Sequence, residues 1–211
     1  MGEYLLETQG ISKSFSTVKV LEDINLKIRK GEIHALLGEN GAGKSTLMKI
    51  LTGVLEADKG TILYRGKPLK IVHPREIHGY GIGIVYQEFN LLPDLTVAEN
   101  IFIGREPQMS LKGFINDSKL NKEAAQLLER LNCSSISPTR KVGTLSVAEQ
   151  QMVEIAKAMS TNARIIILDE PTAALTRSES EKLYTLVDKL KADGVSIIFI
   201  SHRFEDKVGG Q

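Results

Sequence analysis

GENGAGKST, residues 38–46, decides what kind of sheet this chain builds. It follows IHALL (33–37) and precedes a run carrying Leu47, Ile50, Leu51 and Val54 at helical spacing, so it joins a strand to a helix. Its pattern is G-x-x-x-x-G-K-[ST], and the strand and helix on its flanks are the context that makes the pattern a phosphate-binding loop. The glycines let backbone N–H groups turn inward around an anion. Lys44 then reaches the β and γ oxygens, and the Ser45 hydroxyl is a ligand for Mg²⁺. Strand, loop and helix together are the first unit of an α/β sheet.

Before this unit, the stretch from Tyr4 to Ile33 alternates, with Ile24, Leu26 and Ile28 on one side and a turn at Lys30-Gly31. That is half-exposed antiparallel sheet. After it, TILY (61–64) and GIVY (83–86) read as further strands. Beyond Gln87 the texture becomes helical. Thr96 with Glu99 caps a helix through Ile103, and Asp117 starts another bearing Leu120, Ala124, Leu127, Leu128 and Leu131. LSVAEQQ (145–151) opens a third, where Ser146 and Glu149 form a capping box. RIIILDE (164–170) and VSIIFIS (195–201) are continuous apolar runs, the mark of parallel strands buried on both faces. Between them Ser178 with Glu181 is expected to cap a helix carrying Leu183, Leu186, Val187 and Leu190, closed near Gly194. That makes a βαβ crossover.

Chemistry gathers at the ends of these strands. Asp169 closes IIILD as a natural Mg²⁺ partner, and Glu170 beside it is placed to take a proton from an attacking water. Gln87 and His202 close two further strands, and open parallel sheets bind ligands beyond their carboxyl ends. A base held on water predicts hydrolysis, whereas a kinase needs an acceptor pocket. His34, His73 and His78 show no zinc spacing and read as structural.

Lysine and arginine number 27 against 26 aspartates and glutamates, so the 211-residue chain carries a net charge of +1 and no basic field that would suit nucleic acid. One cysteine, Cys133, excludes an internal disulfide and fits a reducing compartment. No apolar run approaches the roughly 18–20 residues of a membrane span, and MGEYLLETQG does not read as a signal peptide.

Taken in order, the phosphate loop, the strand-end glutamine, LSVAE, IIILDEP and the strand-end histidine resemble an ABC transporter ATPase over the whole chain. GENGAGKST looks like its Walker A, Gln87 its Q-loop, LSVAE its signature, IIILDEP its Walker B, AALT (173–176) its D-loop and His202 its switch histidine. The resemblance implies a RecA-like P-loop NTPase core with an N-terminal antiparallel β-subdomain (1–88 and 161–211) and an inserted α-helical subdomain (89–160). It implies ATP and Mg²⁺ as cofactors. Phe15 would stack on adenine, though it also reads as a half-buried sheet residue. Gly38, Glu39, Asn40, Gly41, Ala42, Gly43, Lys44, Ser45 and Thr46 would hold the phosphates, and Ser45, Gln87 and Asp169 the metal. Lys44, Gln87, Glu170 and His202 would serve catalysis, and Ser146 would cover the ATP of an opposite half.

GIGIVYQEFNLLPDLTVAENIFIGREP (81–107), LSVAEQQMVEIAKAM and PTAALT are similar to the ATP-binding subunits of bacterial monosaccharide importers of the ribose, galactose, arabinose and xylose type. Those chains carry two such halves, so this one reads as an N-terminal half cut short. The expected partners are a second nucleotide-binding half, an integral-membrane permease at the cytoplasmic face of the inner membrane and, indirectly, an extracytoplasmic sugar-binding protein, with no nucleic acid. A soluble non-transport ATPase of the same family, a nucleoside importer and a P-loop kinase are the rivals. Val147, Ala148 and Glu149 depart from the common LSGGQ, and Thr176 replaces the usual D-loop aspartate.

Overall fold

Two four-stranded sheets carry the chain. In a computed structural model that describes residues 4–39, 41–71, 73–108 and 115–202, strands β1 (Tyr4–Phe15), β2 (Val18–Arg29), β4 (Lys59–Tyr64) and β5 (Lys67–Pro68) form an antiparallel sheet in the order β2-β1-β4-β5. The alternation of β2 is realised directly: Leu26 and Ile28 are buried while Lys27 and Arg29 face solvent. Strands β3 (Ile33–Leu37), β6 (Ile82–Val85), β7 (Ile165–Asp169) and β8 (Ser196–Ser201) form the parallel sheet, ordered β3-β8-β7-β6.

Every residue of β7 and β8 is buried, as their unbroken apolar runs require. Successive side chains go to opposite faces, and the two faces feed different cores. Ile165 and Ile167 of β7, with Ile198 and Ile200 of β8, pack with the antiparallel sheet and with Leu47, Ile50 and Leu51. Ile166 and Leu168, with Ile197 and Phe199, pack with Val97, Ile101, Leu120, Leu128 and Val153 of the helical stretch and with Leu183 and Val187.

Helix α1 (Lys44–Leu51) stops earlier than its apolar spacing predicts. Val54 lies beyond it and is exposed. Thr52 is the C-cap, the Gly53 N–H donates to the Ile50 carbonyl and the Val54 N–H to the Lys49 carbonyl. That bonding pattern is a Schellman stop with its glycine in the left-handed region at φ 72°. A side chain at Gly53 would run into Ile71.

Thr96 and Glu99 make the expected capping box on α2 (Val97–Phe102). Asn116 caps α3 (Asp117–Arg130), and Ser146 with Glu149 caps α4 (Val147–Met159). Helix α5 (Arg177–Ala192) corrects the sequence reading, because its box is Thr176 with Glu179 and not Ser178 with Glu181. Two S/T-x-x-E frames overlap there, and the earlier one adds two residues, about half a turn, to the helix. Ser178 falls inside the first turn, and Glu181 pairs with Arg177 at 3.5 Å. Thr176→Ala is expected to cost about 1 kcal/mol in urea unfolding and Ser178→Ala only a few tenths, since an N-cap acceptor outweighs a hydroxyl inside the helix. Equal costs would contradict this cap assignment.

Candidate functional site

Strand register lines the predicted residues up along one edge. Leu37 pairs with Ser201, Ile200 with Asp169, and Leu168 with Val85. Gly38, His202 and Glu170 lie one step past those pairs and Gln87 two steps past Val85, so the four succeed one another across the carboxyl ends of β3, β8, β7 and β6. This is the crevice where an open parallel sheet takes ligands.

The phosphate loop sits at the β3 end of that row. Of the five α-helices described, four have a side-chain cap and α1 has none: its N-cap is Gly43 at φ 86°, and its first turn holds no acidic residue. Its first intrahelical bond is Leu47 N–H to the Gly43 carbonyl at 2.9 Å, so the amides of Lys44, Ser45 and Thr46 have no partner inside the helix. An uncapped positive helix end beside a lysine is a binding site for an anion. Gly43 is also sterically fixed, because a Cβ there would stand 2.7 Å from Leu21 Cδ2 and 2.8 Å from the Val20 carbonyl. Lys44 Nζ donates to the carbonyls of Gly38 at 2.6 Å and Glu39 at 2.9 Å. Two of its three protons therefore shape the loop, and one is left for a phosphate. Gly41 is left-handed at φ 87°, Ala42 donates to the Glu39 carbonyl at 3.2 Å, Ser45 is exposed and Thr46 half-buried. Asn40 lies outside the described residues.

At the centre of the row, Asp169 is buried. Burial, then the charge of Glu170, push its carboxyl above the ordinary carboxylate range, with Lys44 and Lys49 pulling it back. Burial first and the charge of Asp169 second also raise the Tyr86 phenol, which register sets beside it. A carboxyl whose folded pKa is raised holds its proton more tightly when folded, so its contribution to stability is lost as pH rises from the unfolded value through the folded one. Above the folded value the cost is carried in full. Asp169→Asn is expected to melt above wild type at about pH 7, with the gap closing toward about pH 4; thermal scans across that range that show it widening on acidification would contradict the burial cost.

Glu170 adopts φ 47°, left-handed for a residue with a side chain, a conformation that persists only where surroundings impose it. Its N–H donates to the Ile200 carbonyl at 2.9 Å, its carbonyl accepts from Ala173 N–H at 3.1 Å, and its Oε2 meets His202 Nδ1 at 2.5 Å. The carboxylate is thus aimed by its backbone and steadied by the histidine.

The donor set suits a nucleoside triphosphate with Mg²⁺. Mg²⁺ usually takes one or two carboxylates and completes its shell with phosphate oxygens and water, and Asp169 and Ser45 supply protein donors of that kind. Among the described residues no cluster of three or more His, Cys, Asp or Glu forms a protein cage for a metal. Gln87 is exposed past the end of β6. Phe15 ends β1 and is 47% exposed, with Lys13 Nζ 5.9 Å from its ring centre; its hairpin reaches the phosphate loop through Val20 and Leu21.

Ser146 stands apart from that row. It lines a cleft of about 330 Å³ with Glu149, Met152 and Cys133 on one side and Glu179 and Lys182 of α5 on the other. Its Oγ accepts the Glu149 N–H at 3.2 Å, and Glu149 Oε2 accepts the Ser146 N–H at 2.8 Å. The sequence did not reveal Arg140, whose guanidinium pairs with Glu149 Oε1 at 3.0 Å and donates to the Thr144 carbonyl at 2.6 Å. Glu149 thus brings a neutralised carboxylate to this helix start. No periodicity joins a loop arginine to a helix nine residues on, so only the folded chain shows the pair.

A family model described as ABC transporter matches residues 21–173. The chain is 49% identical over 202 residues to the ribose import ATP-binding protein RbsA of Halalkalibacterium halodurans, covering 96% of this chain and 40% of that one. It is 50% identical to the protein of the same name from Chromobacterium violaceum, over 94% and 39% of the two chains. This chain therefore spans about two fifths of the length of the curated relatives it matches. Among solved structures, it superimposes with a TM-score of 0.85 and 32% identity on an ATP-binding cassette of an ABC transporter in its ADP conformation, over 96% of this chain and 83% of that one. A dimeric post-hydrolysis ATP-binding cassette bound to ADP and phosphate gives 0.78 and 28%, over 95% and 89%. With the glycine loop, the strand-end carboxylates and the capped LSVAE helix all in place, the chain belongs to the ABC transporter family.

Proposed function

We propose that this chain is an ATP-hydrolysing half of an importer, and that it works as one of two halves closing on Mg-ATP. The observation that carries this is the Glu170–His202 pair, held at the strand ends of a sheet whose first helix starts uncapped. In this account Phe15 stacks on adenine, residues 38–46 hold the phosphates, and Ser45, Gln87 and Asp169 face the metal. The Mg²⁺ offsets phosphate charge. Glu170 accepts the proton of the attacking water, and His202, fastened through Nδ1, presents its other ring nitrogen to the γ-phosphate.

Ser146 serves the opposite half. Once its side chain has capped Glu149 N–H, the remaining amides of the α4 start face an anion brought by a partner. Paired with Arg140, Glu149 sets no lone negative charge against that phosphate.

The names of these relatives support import of a monosaccharide of the ribose kind. A separate membrane permease would then hold the chain peripherally at the cytoplasmic face, with residues 89–160 as the subdomain that moves against 1–88 and 161–211. Among the described residues no helix is long and apolar enough to cross a membrane.

Phosphate release from Mg-ATP without any acceptor, stimulated when permease and sugar-binding protein are reconstituted in vesicles, is the expected result. Phosphate recovered only on a small-molecule acceptor would replace hydrolysis with a kinase.

A further inference from the structure

From Tyr86 to Thr96 the chain forms neither helix nor strand, and side chains take up its backbone groups instead. Asn90 is held at both ends from α4: its N–H donates to Glu154 Oε1 at 2.6 Å, and its carbonyl accepts from Lys157 Nζ at 2.6 Å. Two residues on, Asn100 of α2 holds Leu92 the same way, N–H to Oδ1 at 2.8 Å and Nδ2 to carbonyl at 3.0 Å. The amides of Gly143 and Val142 then donate to the carbonyls of Pro93 and Leu95. Up to Val85 the chain is a strand of the parallel sheet, and from Asn90 onward it is fastened to the helices. Gln87 lies in the short span between.

The hold on Asn90 is costly. Glu154 is only 4% exposed, and a carboxyl taken out of water is expensive unless it is well bonded. Burial drives its pKa up, with Lys157 and the Asn90 N–H opposing. An apolar side chain would fill that space at less cost, so the group makes sense as a fastening. Glu154 and Lys157 lie three apart and share one helix face. The same rigid helix begins at Ser146, about 12 Å from Glu154 at 1.5 Å per residue.

We infer that Glu154 and Lys157 are positioning residues that make the Gln87 segment and the Ser146 end of α4 move as one body. A phosphate engaged at Gln87 in one half then sets the stance of the serine that serves the other half, linking two sites through a single helix. This rests on the ATPase function proposed above.

In the whole 211-residue chain, Mg-ATP is expected to slow amide exchange at residues 88–92 and at 146–150 together. Glu154→Ala keeps the first response and loses the second, with kcat down about tenfold and KM for ATP within about twofold of wild type. Glu154→Gln, whose Oε1 still accepts the Asn90 N–H, restores both. Lys157→Met, which keeps the stem and deletes the second hold, weakens the response at 146–150 even if Glu154→Ala fails to fold. Wild-type protein that does not bind Mg-ATP removes the ATPase assignment. Normal binding with variants that respond and turn over like wild type, or with no response at 146–150 in wild type itself, overturns the coupling alone.

Discussion

Glu170→Gln is expected to cut ATP turnover by about 10²–10⁴-fold while nucleotide binding stays near wild type, the range that loss of a general base produces. The amide has the size of the carboxylate, and its Oε1 can still accept from His202 Nδ1. The backbone bonds to Ile200 and Ala173 that hold the left-handed conformation involve no side-chain atom. What disappears is the ability to take a proton from water. Single-turnover phosphate release from pre-bound Mg-ATP isolates that step, and retention of more than about a tenth of the wild-type rate would move the base to another group. With hydrolysis blocked, the ATP-bound pair should accumulate and sediment as a dimer.

Ser146→Arg in that background is expected to abolish the nucleotide-dependent dimer, because a guanidinium at the helix start fills the place of the partner's phosphate. The serine is also the α4 cap, so a folding cost of about 1 kcal/mol accompanies its loss. Ser146→Ala separates the two effects. It removes the cap acceptor but leaves room for an anion, and the Glu149 carboxylate keeps its bonds to the residue 146 N–H and to Arg140. Alanine should therefore weaken the dimer modestly and arginine eliminate it. If both variants sediment alike with Mg-ATP, Ser146 matters only to the helix.

The strand-end row was legible because each member carries a local signal: the glycine loop between strand and helix, and a polar residue closing each apolar run. Strand pairing then needed only the parallel register to set them side by side. The helix ends were less faithful. Val54 fitted the apolar spacing of α1, yet Thr52-Gly53 encodes the stop, and the periodicity outweighed a glycine that should have been read first. At α5, Thr176 and Ser178 offer equivalent frames in the sequence, and the longer helix won. Thr176 in a D-loop position is then no anomaly in the fold, since threonine caps a helix as aspartate does. Arg140, Asn100 and Glu154 were invisible for another reason. Their partners are backbone groups or carboxylates brought near by tertiary folding, and no spacing along the chain records them.

The parallel sheet divides the interior in a way that gives each strand residue an address by parity. A void opened at Ile166 or Phe199 can be refilled only by the helices, and one at Ile167 or Ile198 only by the antiparallel half, because an unbroken backbone ladder stands between them. Substitutions one residue apart in β7 should therefore behave as if made in different proteins. Their costs should add without interaction when they fall on opposite faces, and depart from additivity when they share a side.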